Sequence, residues 1–75
     1  MEKMSFNYDK LNGRIVEKCG KQSVFASMMG LSEHTISVKL NNKVSFKQEE
    51  ILKACRVLSI PNKDIPAYFF AIDVQ

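Results

Sequence analysis

Gln22-Ser-Val-Phe-Ala-Ser-Met-Met-Gly-Leu-Ser-Glu-His-Thr-Ile-Ser-Val-Lys-Leu-Asn41 decides the fold of this chain. It reads as two short helices joined by one tight turn. Phe25, Ala26 and Met29 share one face of the first helix, because a helix returns to the same side every three to four residues. Gly30 follows, the residue most at ease in the left-handed backbone that ends a helix. Leu31 puts an apolar side chain into the turn, and Ser32 offers its hydroxyl as N-cap of the second helix. Ile36 and Leu40 form an i, i+4 apolar pair on that helix.

Outward from this stretch the chain stays helical. Tyr8, Leu11, Ile15 and Cys19 recur at three- and four-residue spacing, with Val16 widening the stripe, and predict a helix from an Asn7 cap to about Cys19, ended by Gly20. Met1 to Phe6 is expected to fray, with Phe6 free to pack on the body. After the motif, Asn41-Asn42-Lys43 turns the chain. Ser45-Phe-Lys-Gln48 has the spacing of a capping box, and Glu49 and Glu50 suit a helix start. The helix that follows runs to about Leu58, with Ile51, Leu52, Cys55 and Leu58 as its buried stripe. Ile60-Pro61 ends it, and Asn62 or Asp64 caps a last short helix to about Phe69, with Pro66 in its first turn. Tyr68-Phe-Phe-Ala-Ile-Asp-Val74 is too apolar for a free tail, and Phe70, Ile72 and Val74 alternate as a short strand would. The expectation is an all-α, single-domain bundle of four to five short helices with a short C-terminal strand or extension.

The central stretch resembles the helix-turn-helix of the Cro/repressor class of phage and bacterial regulators. Gln22 stands at the start of the first motif helix, Ala26 where the two helices touch, Gly30 at the turn and Ile36 at the buried aliphatic position of the recognition helix. Residues 35 to 41, with Phe46 and Glu50-Ile51, are similar to a subgroup of small phage regulators. The resemblance covers roughly residues 8 to 60. Lys21 stands where a capping Ser, Thr or Asn is commoner, and Asn42 replaces the usual Gly. The resemblance implies a lambda-repressor-like DNA-binding fold and a sequence-specific regulator that acts by occupying operator DNA as a homodimer. The alternative is an anti-repressor module of the same fold that binds a partner phage repressor.

A chain of 75 residues buries only about 60% of its unfolded surface, which leaves little space for an elaborate active site. Lys and Arg number 11 against 8 acidic residues, and the excess is uneven. Residues 10 to 47 carry seven cations against Glu17 and Glu33, whereas residues 48 to 75 carry three against four carboxylates. Positive charge therefore gathers around the motif, as a phosphate-facing surface requires. Arg14, Lys18 and Lys21 also lie toward a helix C-terminus, where cations suit the helix dipole. No apolar run follows the charged start and none is long enough to span a bilayer, so a cytoplasmic protein without membrane association is expected. Cys19 and Cys55 are far apart and read as small buried hydrophobes, with no metal or cofactor implied. No catalytic constellation and no phosphate-binding loop is present, so no enzyme is expected.

With Ile36 and Leu40 facing inward, a wheel of the second motif helix turns His34, Ser37, Val38 and Asn41 outward and leaves Glu33 in the exposed first turn. A helix-turn-helix puts that N-terminal end into the major groove. Glu33, His34, Ser37 and Val38 are the base-reading candidates: a cytosine N4 acceptor, a guanine donor, a hydroxyl of either sense and a methyl partner for thymine. Gln22, Ser23, Ser32, Lys39, Asn41, Asn42, Lys43 and Lys47 are the phosphate-binding candidates. Lys39 lies beside the core stripe and is expected to rest its stem on apolar surface while its amine reaches out. Tyr68, Phe69, Phe70, Ile72 and Val74 supply either a dimer surface or further core for the same chain.

Overall fold

The apolar stripes close into five helices whose placement follows the sequence signals closely around the motif and less closely at its flanks. A computed structural model describes residues 5–73; the expectations placed on residues 1–4 and on Val74 lie outside the described residues. The α-helices are α1 Asp9–Cys19, α2 Gln22–Met29, α3 Glu33–Leu40, α4 Gln48–Leu58 and α5 Ile65–Phe69, the last entered through a 3-10 turn at Asn62–Asp64. Two-residue strands, β1 Ser5–Phe6 and β2 Ile72–Asp73, pair antiparallel with Phe6 opposite Ile72. The all-helical bundle with a short C-terminal strand is therefore what forms.

The helix α2 packs against α1, α3 and α4, so its inward residues sit at the centre. Phe25 is completely buried there, and Leu11 and Ile15 of α1, Ile36 of α3, Leu58 of α4 and Phe69 of α5 belong to the same apolar core. Gly30 ends α2 at φ 72°, its N–H donating to the Ala26 and Ser27 carbonyls, and Leu31 N–H returns to Ala26 O at 3.0 Å. Ser32 caps α3 as expected, its Oγ accepting from Thr35 N–H at 3.1 Å. Asn42 adopts φ 63° and so performs the backbone task more often given to glycine.

Four flanking expectations are corrected. Ser5 and Phe6 do not fray: the Phe6 ring meets Phe70 edge-on at 6.0 Å, and Asn7 N–H donates to Ala71 O at 2.6 Å. The helix α4 starts at Gln48, with Lys47 rather than Ser45 as its N-cap. Glu50 Oε1 accepts from Lys47 N–H at 2.9 Å; Lys47, whose side chain can only donate, returns no bond, so half a capping box forms. Phe46 is the reason for the later start, since its ring is wedged nearly perpendicular between Tyr8 and Phe69, 5.5 Å from each. Leu52 is half exposed and Ala54 takes its place in the buried stripe, while Val16 is 63% exposed and adds nothing to the core.

The far end of α4 is held by another helix. Arg14 of α1 donates through Nε to Leu58 O at 2.8 Å and through Nη2 to Ser59 O at 2.9 Å. Those carbonyls have no partner within the helix, so a cation from α1 fastens the bundle at a point of negative partial charge.

Candidate functional site

The α2–turn–α3 unit presents the surface singled out in the sequence. Ser32, Glu33 and His34 are exposed together at the start of α3, and Gln22 is exposed at the start of α2. Ser23, Ser37 and Val38 are half-buried, whereas Asn41, Lys43 and Lys47 are exposed beyond the C-terminal end of α3. Most of the expected residues are thus at least partly accessible, but several are already engaged. Ser32 Oγ is used in the cap. Asn41 Nδ2 donates to Ser37 O at 2.8 Å, which ties the last turn of α3 to itself. Asn42 spends its whole carboxamide on β1: Phe6 N–H donates to its Oδ1 at 2.8 Å and its Nδ2 donates to Phe6 O at 2.9 Å. Assigning the Asn42 side chain to phosphate is therefore corrected, because both of its polar ends are already matched.

The larger correction concerns Lys39. Its amine does not reach solvent: the residue is 3% exposed. Its Nζ lies 2.9 Å from Glu50 Oε1 and donates to Ser45 O, also at 2.9 Å. The Phe46 ring centroid is 5.8 Å away. The physical reason is visible in the spacing. Lys39 stands three residues after Ile36, on the inward side, and a buried ammonium is tolerated only with a carboxylate and further acceptors around it. Glu50 supplies the carboxylate. Partial burial pushes the Glu50 carboxyl up, but the Lys47 backbone N–H and the Lys39 ammonium outweigh it, and its pKa falls below the ordinary value. In the sequence Glu50 is marked as a helix-start charge and as part of the family resemblance, but not as a partner for Lys39; the signal that could have found that role is a lysine on the inward face of α3, which demands a partner.

The C-terminal candidates divide. Phe69 is 2% exposed and belongs to the chain's own core, so of its two expected uses the core one holds and the dimer one does not. Tyr68 is half-buried, with the Lys10 amine 4.9 Å above its ring. Phe70 and Ile72 remain about half exposed. Cys19 and Cys55 are both unbridged thiols, and burial pushes the Cys55 thiol pKa up.

What these features define is a small helical protein with two short helices joined by a tight turn, the second of which has turned its one lysine inward and left a carboxylate, Glu33, at its exposed tip. The chain belongs to the family described as protein of unknown function (DUF739), whose model matches residues 4–72. Among solved structures it is similar to the solution structure of the modulator of repression (MOR) of the temperate bacteriophage TP901-1 from Lactococcus lactis. The two share 57% sequence identity over 88% of this chain and 89% of that one, with a TM-score of 0.79. No curated protein matches the chain. These findings correct the likeness to Cro/repressor-type regulators. Gln22, Ala26, Gly30 and Ile36 are positions that build the two-helix turn, so they report the fold and leave its use open.

Proposed function

We propose that this chain is a phage regulatory protein that modulates repression by binding a partner repressor, rather than by reading an operator itself. The observation that carries the reading is the 57% identity, nearly end to end, with a protein named for modulating repression. The surface supports it. A carboxylate at the tip of α3 is repelled by phosphates, whereas a protein partner can match it. Lys39, the cation that α3 offers in the sequence, is consumed by Glu50. No helix is long and apolar enough to cross a membrane among the described residues.

Exposed Glu33 and His34, with half-buried Ser37 and Val38, then act as a mixed polar and apolar helix face suited to protein contact. Gln22, Ser23, Lys43 and Lys47 lie around it. Lysines at these positions also give weak, salt-sensitive attraction to any DNA. Calorimetric titration with the repressor of the same phage distinguishes the two uses. The expected result is saturable binding with a dissociation constant of about 1 µM or tighter, in the range of specific protein pairs. Absence of heat and of co-elution at protein concentrations tenfold higher would reject the proposal.

A further inference from the structure

Between the β1–β2 ribbon and the loop that joins α3 to α4 lies a cleft of about 300 Å³. Tyr8, Phe46, Phe69 and Phe70 form its walls, and Asn42 and Ser45 stand at its polar side. That volume is at the bottom of the range for ligand sites, so it holds one or two side chains rather than a cofactor. The walls are fixed by the edge-to-face contacts of Phe46 with Tyr8 and Phe69, and the loop is fixed by the two Asn42 bonds to Phe6 and by the Lys39–Glu50 pair. The cleft is thus formed in advance of any occupant, which spares the ordering cost of binding.

Charge on the loop beside the cleft indicates what would fill it. The loop beside it carries Lys43 and Lys47, both exposed and neither in an ion pair among the described residues. Glu50, beside this loop, is held by Lys39.

We infer that the cleft receives a bulky apolar side chain from a partner protein, inserted from a segment whose neighbouring residues are carboxylates that meet Lys43 and Lys47. The inference deepens the repressor-binding reading by giving the partner's segment a chemistry, and it is tested without the repressor. Three blocked peptides serve as probes: N-acetyl-Glu-Leu-Glu-Glu-amide, its Leu→Ala form and its form with every Glu replaced by Lys. Each is titrated into the isotopically labelled full chain, followed by two-dimensional NMR. The expected result is saturable shifts at Tyr8, Phe46, Phe69 and Phe70 with the first peptide, loss of those shifts with the Ala form, and about tenfold weaker binding with the Lys form at low salt. The Lys43→Glu variant, changed at an exposed position away from the Lys39–Glu50 pair, weakens the first peptide by about threefold and keeps the wild-type melting curve.

Equal shifts from the Leu and Ala peptides, or shifts confined to other surfaces, overturn the inference. So do concentration-dependent shifts of the same residues without peptide, which would seat a second copy in the cleft. Nuclear Overhauser contacts from residues 1–4 to Phe46 in the free protein would show the cleft filled by its own chain and overturn it likewise. A repressor that binds while leaving the cleft resonances unmoved rejects the cleft and spares the proposed function; a cleft that binds the peptide in a protein no repressor recognises does the reverse.

Discussion

Lys39 and Glu50 carry the most consequence of any pair of residues. Removing one member strands the other in a poorly hydrated site. Lys39→Met is expected to lower stability by about 2 kcal/mol, less than the cost of breaking a fully buried pair because Glu50 keeps some solvent contact. For a domain of this size that is a fall of about 10 °C in Tm, measurable by circular dichroism. Changing Glu50 to Leu as well should restore part of the loss, since no uncompensated charge remains; the double variant will not recover fully because Lys47 N–H loses its acceptor. The same carboxylate sets an acid limit. Its pKa is below the ordinary glutamate value of 4.5, so the folded state binds the proton less readily than the unfolded state. The stabilisation is complete above that ordinary value and is lost as pH falls through the lower, folded one. Urea melts of Glu50→Gln between pH 3 and 6 should accordingly lose stability less steeply on acidification than the wild type.

At the scale of elements, α2 and α3 were legible because their signals are local. Gly30, Ser32 and the Ile36–Leu40 pair act within a few residues, and α2 lies at Gln22–Met29 as its apolar pattern requires. Ser32→Ala should cost about 1 kcal/mol, the usual worth of an N-cap, read as a lower urea midpoint at unchanged slope. What was not legible depended on distant partners. No spacing announces that Asn42 will bond Phe6 across 36 residues, that Phe46 will delay α4 by wedging between Tyr8 and Phe69, or that Arg14 will cap α4. The Asn42 clasp yields its own prediction. Asn42→Gly keeps the left-handed backbone and removes both side-chain bonds, so β1 should open locally while the helices stay intact. Hydrogen exchange at the Phe6 amide should quicken by about tenfold or more, with the α2 core amides unchanged. Uniform acceleration throughout the chain would instead make the clasp part of the global fold.

For the whole molecule, the lesson is that the residues that build a helix-turn-helix differ from those that decide its use. The apolar anchors at Ala26 and Ile36 mark the two-helix turn, and the positive charge gathered around them suggests DNA; burial of Lys39 takes one cation out of that surface. Family membership and the likeness to a modulator of repression then turn attention to a protein partner. The most direct measurement is fluorescence anisotropy of a labelled operator fragment, titrated with this protein alone and again with the operator already bound by the repressor of the same phage, at two salt concentrations. The account predicts that the protein alone binds operator no more tightly than random DNA, with affinity that fades as salt rises, and that it changes the repressor's operator occupancy saturably at both salts. Binding by the protein alone that exceeds random DNA by about 10³, with no effect on bound repressor, would contradict it.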